Sequence, residues 1–247
     1  MFTTRNGHTE GMATVNASRT ARERVREEMT GEILAVARQQ LARDGAAGLS
    51  LRSVARDLGM APSALYRYFD GRDALLGGLI LSTYESLADA AEDAADKATA
   101  ASGSDSERFL AVPRALRLWA LERPHEWGLV FGTPVPGYEA PFDTVVPYAR
   151  VAAALLRPVV AAAGAGRLRH GGGPLVSTEL VAALAPVSEA LLPGLPAEVV
   201  LLAVEAWTTM IGAISLEVFG HWRRTILEPV EYYDRTMRDT ADALGLS

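Results

Sequence analysis

The sequence predicts an all-α protein, and three observations lead to this fold class. First, apolar residues near the N-terminus recur at the three- to four-residue spacing of one helix face. Second, residues 51–72 have the spacing of a helix-turn-helix. Third, residues 106–247 divide into apolar helical segments at breaks that contain Gly or Pro. We therefore expect a three-helix domain, joined by a long fourth helix to a second, all-helical domain.

The N-terminal residues 1–18 are polar and lack any hydrophobic periodicity, so they are predicted to form a disordered arm. The first helix is expected from about residue 20 to residue 44, because Gly45 supplies a stop. Its predicted core face consists of Val25, Met29, Ile33, Val36, Ala37 and Leu41. A basic cluster precedes this face, and it is interpreted either as a solvated helix surface or as a phosphate-binding surface. The cluster consists of Arg19, Arg22, Arg24 and Arg26.

The helix-turn-helix pattern assigns a physical role to each of its key residues. Ala55 is small where two helices cross, and Gly59 can adopt the left-handed turn that ends the second helix. Ser50 is a suitable N-cap for that helix, expected over residues 51–58. Pro62 suits the first position of the third helix, which is expected to run for two turns and needs no N–H at its start. Leu65 fills the space between the two helices.

The outer side of the third helix therefore carries residues that can enter a DNA major groove. An Arg side chain can read guanine O6 and N7 together, and a small residue near the helix N-terminus can approach base edges. The predicted base contacts are Pro62, Ser63, Ala64 and Arg67. Leu65 and Phe69, four residues apart, should point inward.

The run GMAPSALYRYFDGRDAL at residues 59–75 resembles the recognition-helix signature of TetR-type transcriptional repressors. In that family a Gly-Val-Ser-x-x-x-Leu-Tyr-x-His/Tyr-Phe run precedes x-Ser/Asn-Lys-Glu/Asp-x-Leu. The resemblance covers about 50 residues and implies a homodimer that binds a double-stranded, pseudo-palindromic operator. Together with the caps of the second and fourth helices, it suggests phosphate contacts from Ser50, Arg52, Ser53, Tyr66, Tyr68 and Arg72.

The net charge of −6 is distributed unevenly along the chain. Residues 1–77 contain 11 Arg against 9 Asp and Glu, whereas residues 78–247 contain 13 Lys and Arg against 21 Asp and Glu. The basic balance therefore belongs to the predicted DNA-binding half, as expected for a protein that approaches DNA with one end.

The second domain is predicted to span residues 78–247, after a helix-turn-helix domain at residues 19–77. Its fourth helix should run from about residue 72 to residue 101. Further helices are expected at about 106–122, 124–132, 141–163, 176–192, 197–220 and 228–244. Kinks or split helices are expected at Pro113, Pro147, Pro158 and Pro186.

Several classes of function are disfavoured by the sequence. The chain has no Cys, its four His residues have no metal-ligand spacing, and neither a G-x-S-x-G nor a G-x-G-x-x-G motif occurs. We therefore expect no metal, no cofactor and no enzymatic activity. The N-terminus has no apolar signal region, and no uninterrupted apolar run of 18 residues indicates a membrane span. A cytoplasmic location is expected.

Residues 118–131 resemble one C-terminal type of the TetR family, which has a late Trp-x-x-x-His-Gly motif. Here Trp207 and Gly212 are present, but Ile211 replaces the His. That departure favours an apolar effector. A ligand pocket is suggested for the following residues, which could equally be ordinary core: Trp119, Trp127, Phe131, Tyr138, Phe142, Trp207, Thr208 and Met210.

The last two predicted helices are the candidate dimer interface. The helix at 197–220 is apolar nearly all round, as expected for a helix that is central in the monomer or covered by a partner. The resemblance implies a two-fold four-helix bundle. From the last helix, the residues predicted to face the partner are Tyr232, Tyr233, Met237 and Leu244.

The function expected from these features is a TetR-like DNA-binding regulator. Its predicted mode of action is repression, with release from the operator by an unidentified small molecule. Two alternatives remain open at this point: a regulator that activates or acts without a ligand, and an enzyme that uses the pocket of the helical domain.

Overall fold

The computed structural model describes residues 9–101, 103–134, 138, 144–169 and 176–246, with side chains from residue 20 onwards. All regular structure in these ranges is helical. The helices are α1 (Thr9–Gly48), α2 (Leu51–Asp57), α3 (Pro62–Leu65), α4 (Arg72–Ala100), α5 (Asp105–Glu122), α6 (Pro124–Phe131), α7 (Val145–Gly164), α8 (Thr178–Leu191), α9 (Ala197–Val218) and α10 (Pro229–Ala243). The predicted all-α fold class is confirmed.

The chain divides into two compact units, residues 1–79 and residues 80–247. The division falls within α4, two residues after the boundary expected from the sequence. Helix α4 is continuous across this point, although Gly77 and Gly78 lie just before the division.

The first unit is built around the small core predicted for the helix-turn-helix. Val54, Ala55 and Leu65 are fully buried, as are Ile33 and Ala37 of α1, and α2 packs against both α1 and α3. Gly59 has a φ of +66°, and the N–H groups of Gly59 and Met60 donate to carbonyls of α2. This left-handed turn is the reason that α2 can end and reverse within four residues.

Three expectations for the first helices are wrong. Residues 9–18 are the first turns of α1 rather than part of a disordered arm, while residues 1–8 lie outside the described residues. A polar segment without periodicity can still extend a helix that its neighbours have nucleated. Val25, predicted to be core, is 59% exposed. The regular part of α3 is a single turn, which continues as looser turns through Tyr68.

The second unit has a large apolar core to which α4–α7, α9 and α10 all contribute, together with the turns that follow α8, α9 and α10. The helices begin near the expected positions because side-chain caps define their starts. Ser104 accepts a hydrogen bond from the N–H of Glu107, and Ser177 accepts one from Leu180. Pro113, Pro158 and Pro186 lie inside unbroken helices, and Pro147 lies in the first turn of α7, so the expected splits do not occur.

Ion pairs that are distant in sequence tie the helices of this unit together. Arg117 of α5 donates from Nε and Nη2 to both carboxylate oxygens of Glu217 in α9, at 2.7 and 2.5 Å. Arg114 of α5 makes the same bidentate contact, from Nε and Nη2, with the carboxylate of Asp234 in α10. The hydroxyl of Tyr233 donates to the carbonyl of Pro113 at 3.0 Å, and burial raises the pKa of this phenol.

Helices α7 and α9 are long and apolar enough to cross a membrane, with mean hydropathies of 1.4 and 1.8. About half of the α7 segment and 39% of the α9 segment are buried inside the unit. Core helices of folded domains share this length and composition. These two helices are therefore only weak support for a membrane span. The search of the sequence for an uninterrupted apolar run of 18 residues did not detect them.

Candidate nucleic-acid interface

The short helix α3 presents a polar outer side to solvent. Pro62, Ser63 and Arg67 are exposed and Ala64 is half-buried, whereas Leu65 is fully buried and Phe69 is 8% exposed. The pattern arises because residues 65 and 69 are four apart and share the inward face. All four residues proposed for base contacts therefore lie on or beside the accessible surface of α3.

A basic groove lies between α3 and the N-terminal half of α1. It has a volume of about 470 Å³ and is lined by Ala21, Arg22, Val25, Arg26, Arg67 and Tyr68. The three arginines form no ion pair with any residue that the structure describes. The Arg26 guanidinium instead lies over the ring of Tyr68, 5.5 Å from its centroid. We call this feature the arginine groove. It brings Arg22 and Arg26 to the same place as Arg67, which the sequence could not show.

The candidate phosphate-binding residues around α2 and α3 differ in their surroundings. Arg52 and Tyr66 are exposed, the latter by 50%. Ser50 is at the predicted N-cap position but its side chain makes no capping bond, so its hydroxyl remains available. Ser53 accepts a hydrogen bond from Arg56 at 2.8 Å. Tyr68 is half-buried beneath Arg26, so its ring supports a cation.

Arg72 has an unexpected structural partner. Its Nη2 donates to the carbonyl of Ala46 at 2.8 Å, and its side chain is 36% exposed. That carbonyl directly follows Gly45, where a φ of +70° interrupts α1 and leaves helix-end carbonyls without their usual donors. Arg72 therefore fastens the α1–α2 connection to the start of α4, in addition to any contact that it makes with a ligand.

Two family models match this chain and together cover both units. Residues 33–79 match the model described as "Bacterial regulatory proteins, tetR family". Residues 109–240, more than half of the chain, match "Tetracyclin repressor-like, C-terminal domain". The chain belongs to the TetR family.

Known TetR-family proteins and structures agree with this assignment. The HTH-type transcriptional regulator Rv1816 of Mycobacterium tuberculosis is 38% identical over 217 residues, 86% of this chain and 91% of the relative. The regulator Mb1846 of Mycobacterium bovis gives the same values. Among solved structures, the regulatory protein SCO4313 superposes with a TM-score of 0.72 at 32% identity and covers 89% of this chain and 98% of its own. RolR in complex with resorcinol shares the fold, with a TM-score of 0.52, 16% identity, and 90% and 94% coverage.

In the TetR-family C-terminal unit, five aromatic rings from four helices form a continuous series of contacts. Trp127 and Phe131 of α6 are 4.4 Å apart between centroids. Phe131 meets Tyr84 of α4 at 6.2 Å, and Tyr84 meets Tyr148 of α7 at 5.9 Å, both edge to face. Tyr148 meets Trp207 of α9 at 5.2 Å. We call these five residues the aromatic cluster.

Three of the suggested pocket residues therefore belong to this cluster: Trp127, Phe131 and Trp207. The other five are placed differently. Trp119 is buried against Ser86, whose hydroxyl accepts from its indole N–H, and Met210 is fully buried. Tyr138 is half-buried, Thr208 is exposed on the outer side of α9, and Phe142 lies outside the described residues.

The two tyrosines of the cluster were not anticipated. Burial raises the pKa of Tyr84 and, to a smaller extent, so does its neighbour Tyr148. Burial also raises the pKa of Tyr148, although a hydrogen bond with Trp207 acts in the opposite direction. Both phenols are therefore neutral near pH 7. A periodicity analysis could have found Tyr84, because it lies four residues after Ile80 and three before Leu87, which are both buried on α4.

No group of three His, Asp or Glu side chains in the described ranges is arranged to hold a metal ion.

Proposed function

We propose that the protein is a homodimeric, cytoplasmic repressor that places one α3 from each subunit in successive major grooves of a pseudo-palindromic operator. The observation that supports this most is the accessible outer side of α3, with Ser63 and Arg67 exposed beside the arginine groove. An exposed guanidinium next to two others combines the two elements of DNA recognition: base-edge contact and neutralisation of phosphate charge.

We propose that the DNA backbone binds in the arginine groove, beside α3. Its three arginines have no carboxylate partner among the described residues, so binding a phosphate costs no existing ion pair. Val25, which lines the same groove, is 59% exposed and is not among the buried core residues. This arrangement favours the phosphate-binding interpretation of the basic cluster on α1 over that of a solvated helix face.

The dimer interface is proposed on α8 and α9 rather than on the last helix. Tyr233, Met237 and Leu244 are at most 1% exposed within the monomer because α10 packs on α5 and α9; only Tyr232 of the predicted set is accessible. By contrast, α8 has no buried residue despite its apolar sequence. On α9 a continuous outer stripe consists of Glu205, Thr208, Gly212, Leu216 and Phe219. At Gly212 an added Cβ would meet no atom within 4 Å, which leaves room for close helix approach.

Substitution of Leu216 by glutamate is expected to shift the protein from dimer to monomer. Leu216 is 45% exposed on the proposed interface, and a charge there would be buried without a partner on association. Sedimentation velocity at micromolar concentration measures the outcome. Leu227→Glu is the matched control, because Leu227 is 85% exposed and lies after α9. Equal dissociation by both variants, or by neither, would place the interface elsewhere.

An effector site is proposed at the aromatic cluster. A ligand that binds better to one arrangement of the subunits would shift the population away from the DNA-competent state. The same fold accommodates a small molecule in RolR. Here the support comes from the cluster itself, because partly exposed aromatic side chains from several helices are typical of ligand sites.

The DNA-binding proposal can be tested by selection from a random pool of duplexes with the full-length protein. The expected result is enrichment of a pseudo-palindrome whose half-sites are one or more helical turns apart. Binding should weaken steeply with salt, because arginines that contact phosphates release counterions. Absence of any enriched sequence at low salt would refute the proposal.

A further inference from the structure

The aromatic cluster is an incompletely closed surface rather than a finished core. Only Trp127 is fully buried; Tyr84, Phe131 and Trp207 are half-buried and Tyr148 is 38% exposed. Contiguous apolar rings that keep exposed area indicate an interaction site. Three of the four ring contacts are edge to face, with interplanar angles of 75° to 89°. The partly exposed rings therefore offer aromatic surface against which a further aromatic ring can pack.

The charged side chain nearest in sequence to Tyr148 is not available to a ligand. Arg150, two residues later on α7, donates to both carboxylate oxygens of Glu92 at 3.0 and 2.6 Å, and to Asp89 at 2.7 Å. Its hydrogen bond lowers the pKa of Glu92, so this carboxylate stays ionised and keeps the guanidinium occupied. None of the five cluster residues is charged near pH 7. An uncharged ligand therefore fits this site best.

One polar group of the cluster, the hydroxyl of Tyr148, is available for a hydrogen bond to a ligand. The hydroxyl of Tyr148 has no acceptor among the described residues, and its ring lies 5.2 Å from that of Trp207, so its O–H can donate to a ligand. Tyr84 donates to the carbonyl of Val130 over 3.4 Å, a long and weak bond. An oxygen on the ligand would give the O–H of Tyr148 the acceptor that it lacks among the described residues.

We propose that the aromatic cluster binds an uncharged, planar aromatic molecule whose oxygen accepts a hydrogen bond from Tyr148. The inference names the chemical class of the effector and rests on the effector site proposed above. The ligand ring packs against the faces of Phe131 and Trp207, and the hydroxyl of Tyr148 selects for the oxygen.

Isothermal titration calorimetry of the full-length protein with four probes tests this inference. The probes are 2-naphthol, decahydro-2-naphthol, naphthalene and 2-naphthoate. The first is aromatic, neutral and oxygenated, and each of the others removes one of these properties. We expect one 2-naphthol per chain, with binding at least about tenfold tighter than that of decahydro-2-naphthol, because several ring contacts are lost on saturation. The anion 2-naphthoate should also bind more weakly.

Substitution of Tyr148 by phenylalanine separates the hydrogen bond from the ring. This variant should bind 2-naphthol about 2- to 12-fold more weakly and bind naphthalene unchanged. Tyr232→Phe is the control, since Tyr232 is 48% exposed on α10 and outside the cluster. The inference is overturned if 2-naphthol does not bind or if decahydro-2-naphthol binds equally well. It is also overturned if Tyr148→Phe weakens the binding of 2-naphthol no more than that of naphthalene.

A separate measurement of operator binding, without any probe, distinguishes a failure of this inference from a failure of the repressor proposal. If the protein binds an operator but not 2-naphthol, only the proposed effector class is refuted. If the protein binds 2-naphthol with the expected dependence on Tyr148 but binds no operator, the ligand site is supported and the repressor proposal is refuted.

Discussion

Replacement of Arg117 by alanine is expected to lower the free energy of unfolding of the second unit by about 3–5 kcal/mol. The side chains of Arg117 and Glu217 are only 10% and 12% exposed, so removing the guanidinium leaves a carboxylate buried without its partner. The variant also loses the contact of the guanidinium with the ring of Tyr233, 5.7 Å from its centroid. Urea unfolding followed by tryptophan fluorescence measures the effect, because all four Trp residues lie in this unit.

Arg157→Ala provides the matched control for Arg117. Arg157 pairs with Asp96, but these side chains are 44% and 70% exposed, so the loss should be no more than about 1 kcal/mol. The double variant Arg117→Met, Glu217→Leu should recover much of the stability lost in Arg117→Ala, because it leaves no buried charge. If Arg117→Ala and Arg157→Ala cost the same, the α5–α9 pair does not have the structural role described above.

Replacement of Arg67 by alanine is expected to cost about 1–3 kcal/mol of operator affinity and to relax sequence specificity at one base pair of each half-site. Arg67 is exposed in the turn that directly follows α3 and forms no ion pair with a described carboxylate, so its guanidinium is available for a guanine. Fluorescence anisotropy with the selected operator and its single-base variants measures both effects.

Arg72→Ala is the contrasting variant for Arg67. It should weaken binding to all sequences similarly and reduce the salt dependence, as expected for a residue that contacts only the backbone. The variant should also loosen the α1–α2 connection, because the carbonyl of Ala46 loses the shorter of its two hydrogen bonds and keeps only the 3.4 Å bond from the N–H of Leu49. The same loss of discrimination from both substitutions would contradict this division of roles.

Local features of the sequence predict most of the helices. Gly59 ends α2 with a positive φ, Pro62 begins α3, and Ser104 and Ser177 cap α5 and α8, so these boundaries lie close to the expected positions. Each depends on interactions within a few residues. The extension of α1 to Thr9 is the exception, since no capping signal marks it.

Features that depend on distant residues could not be predicted in the same way. The partner of Arg117 is 100 residues away, and helical spacing alone does not show that Tyr233 and Met237 face α5 rather than a second subunit. The aromatic cluster likewise joins Tyr84 to rings more than 40 residues away, so two of its members were missed. Apolar periodicity identifies a buried face, but it does not identify what covers that face.

Site-directed DNA cleavage tests the central claim most directly. The chain has no Cys, so Ser63→Cys creates a unique site on the outer side of α3 for an iron chelate that cleaves nearby DNA. With the selected operator, we expect two groups of cleavage sites related by two-fold symmetry, one in the major groove of each half-site. The same label on Glu231→Cys, in the second unit, should not give this pattern. Cleavage spread evenly along the bound duplex, or identical for the two labels, would contradict the assignment of α3 as the recognition helix.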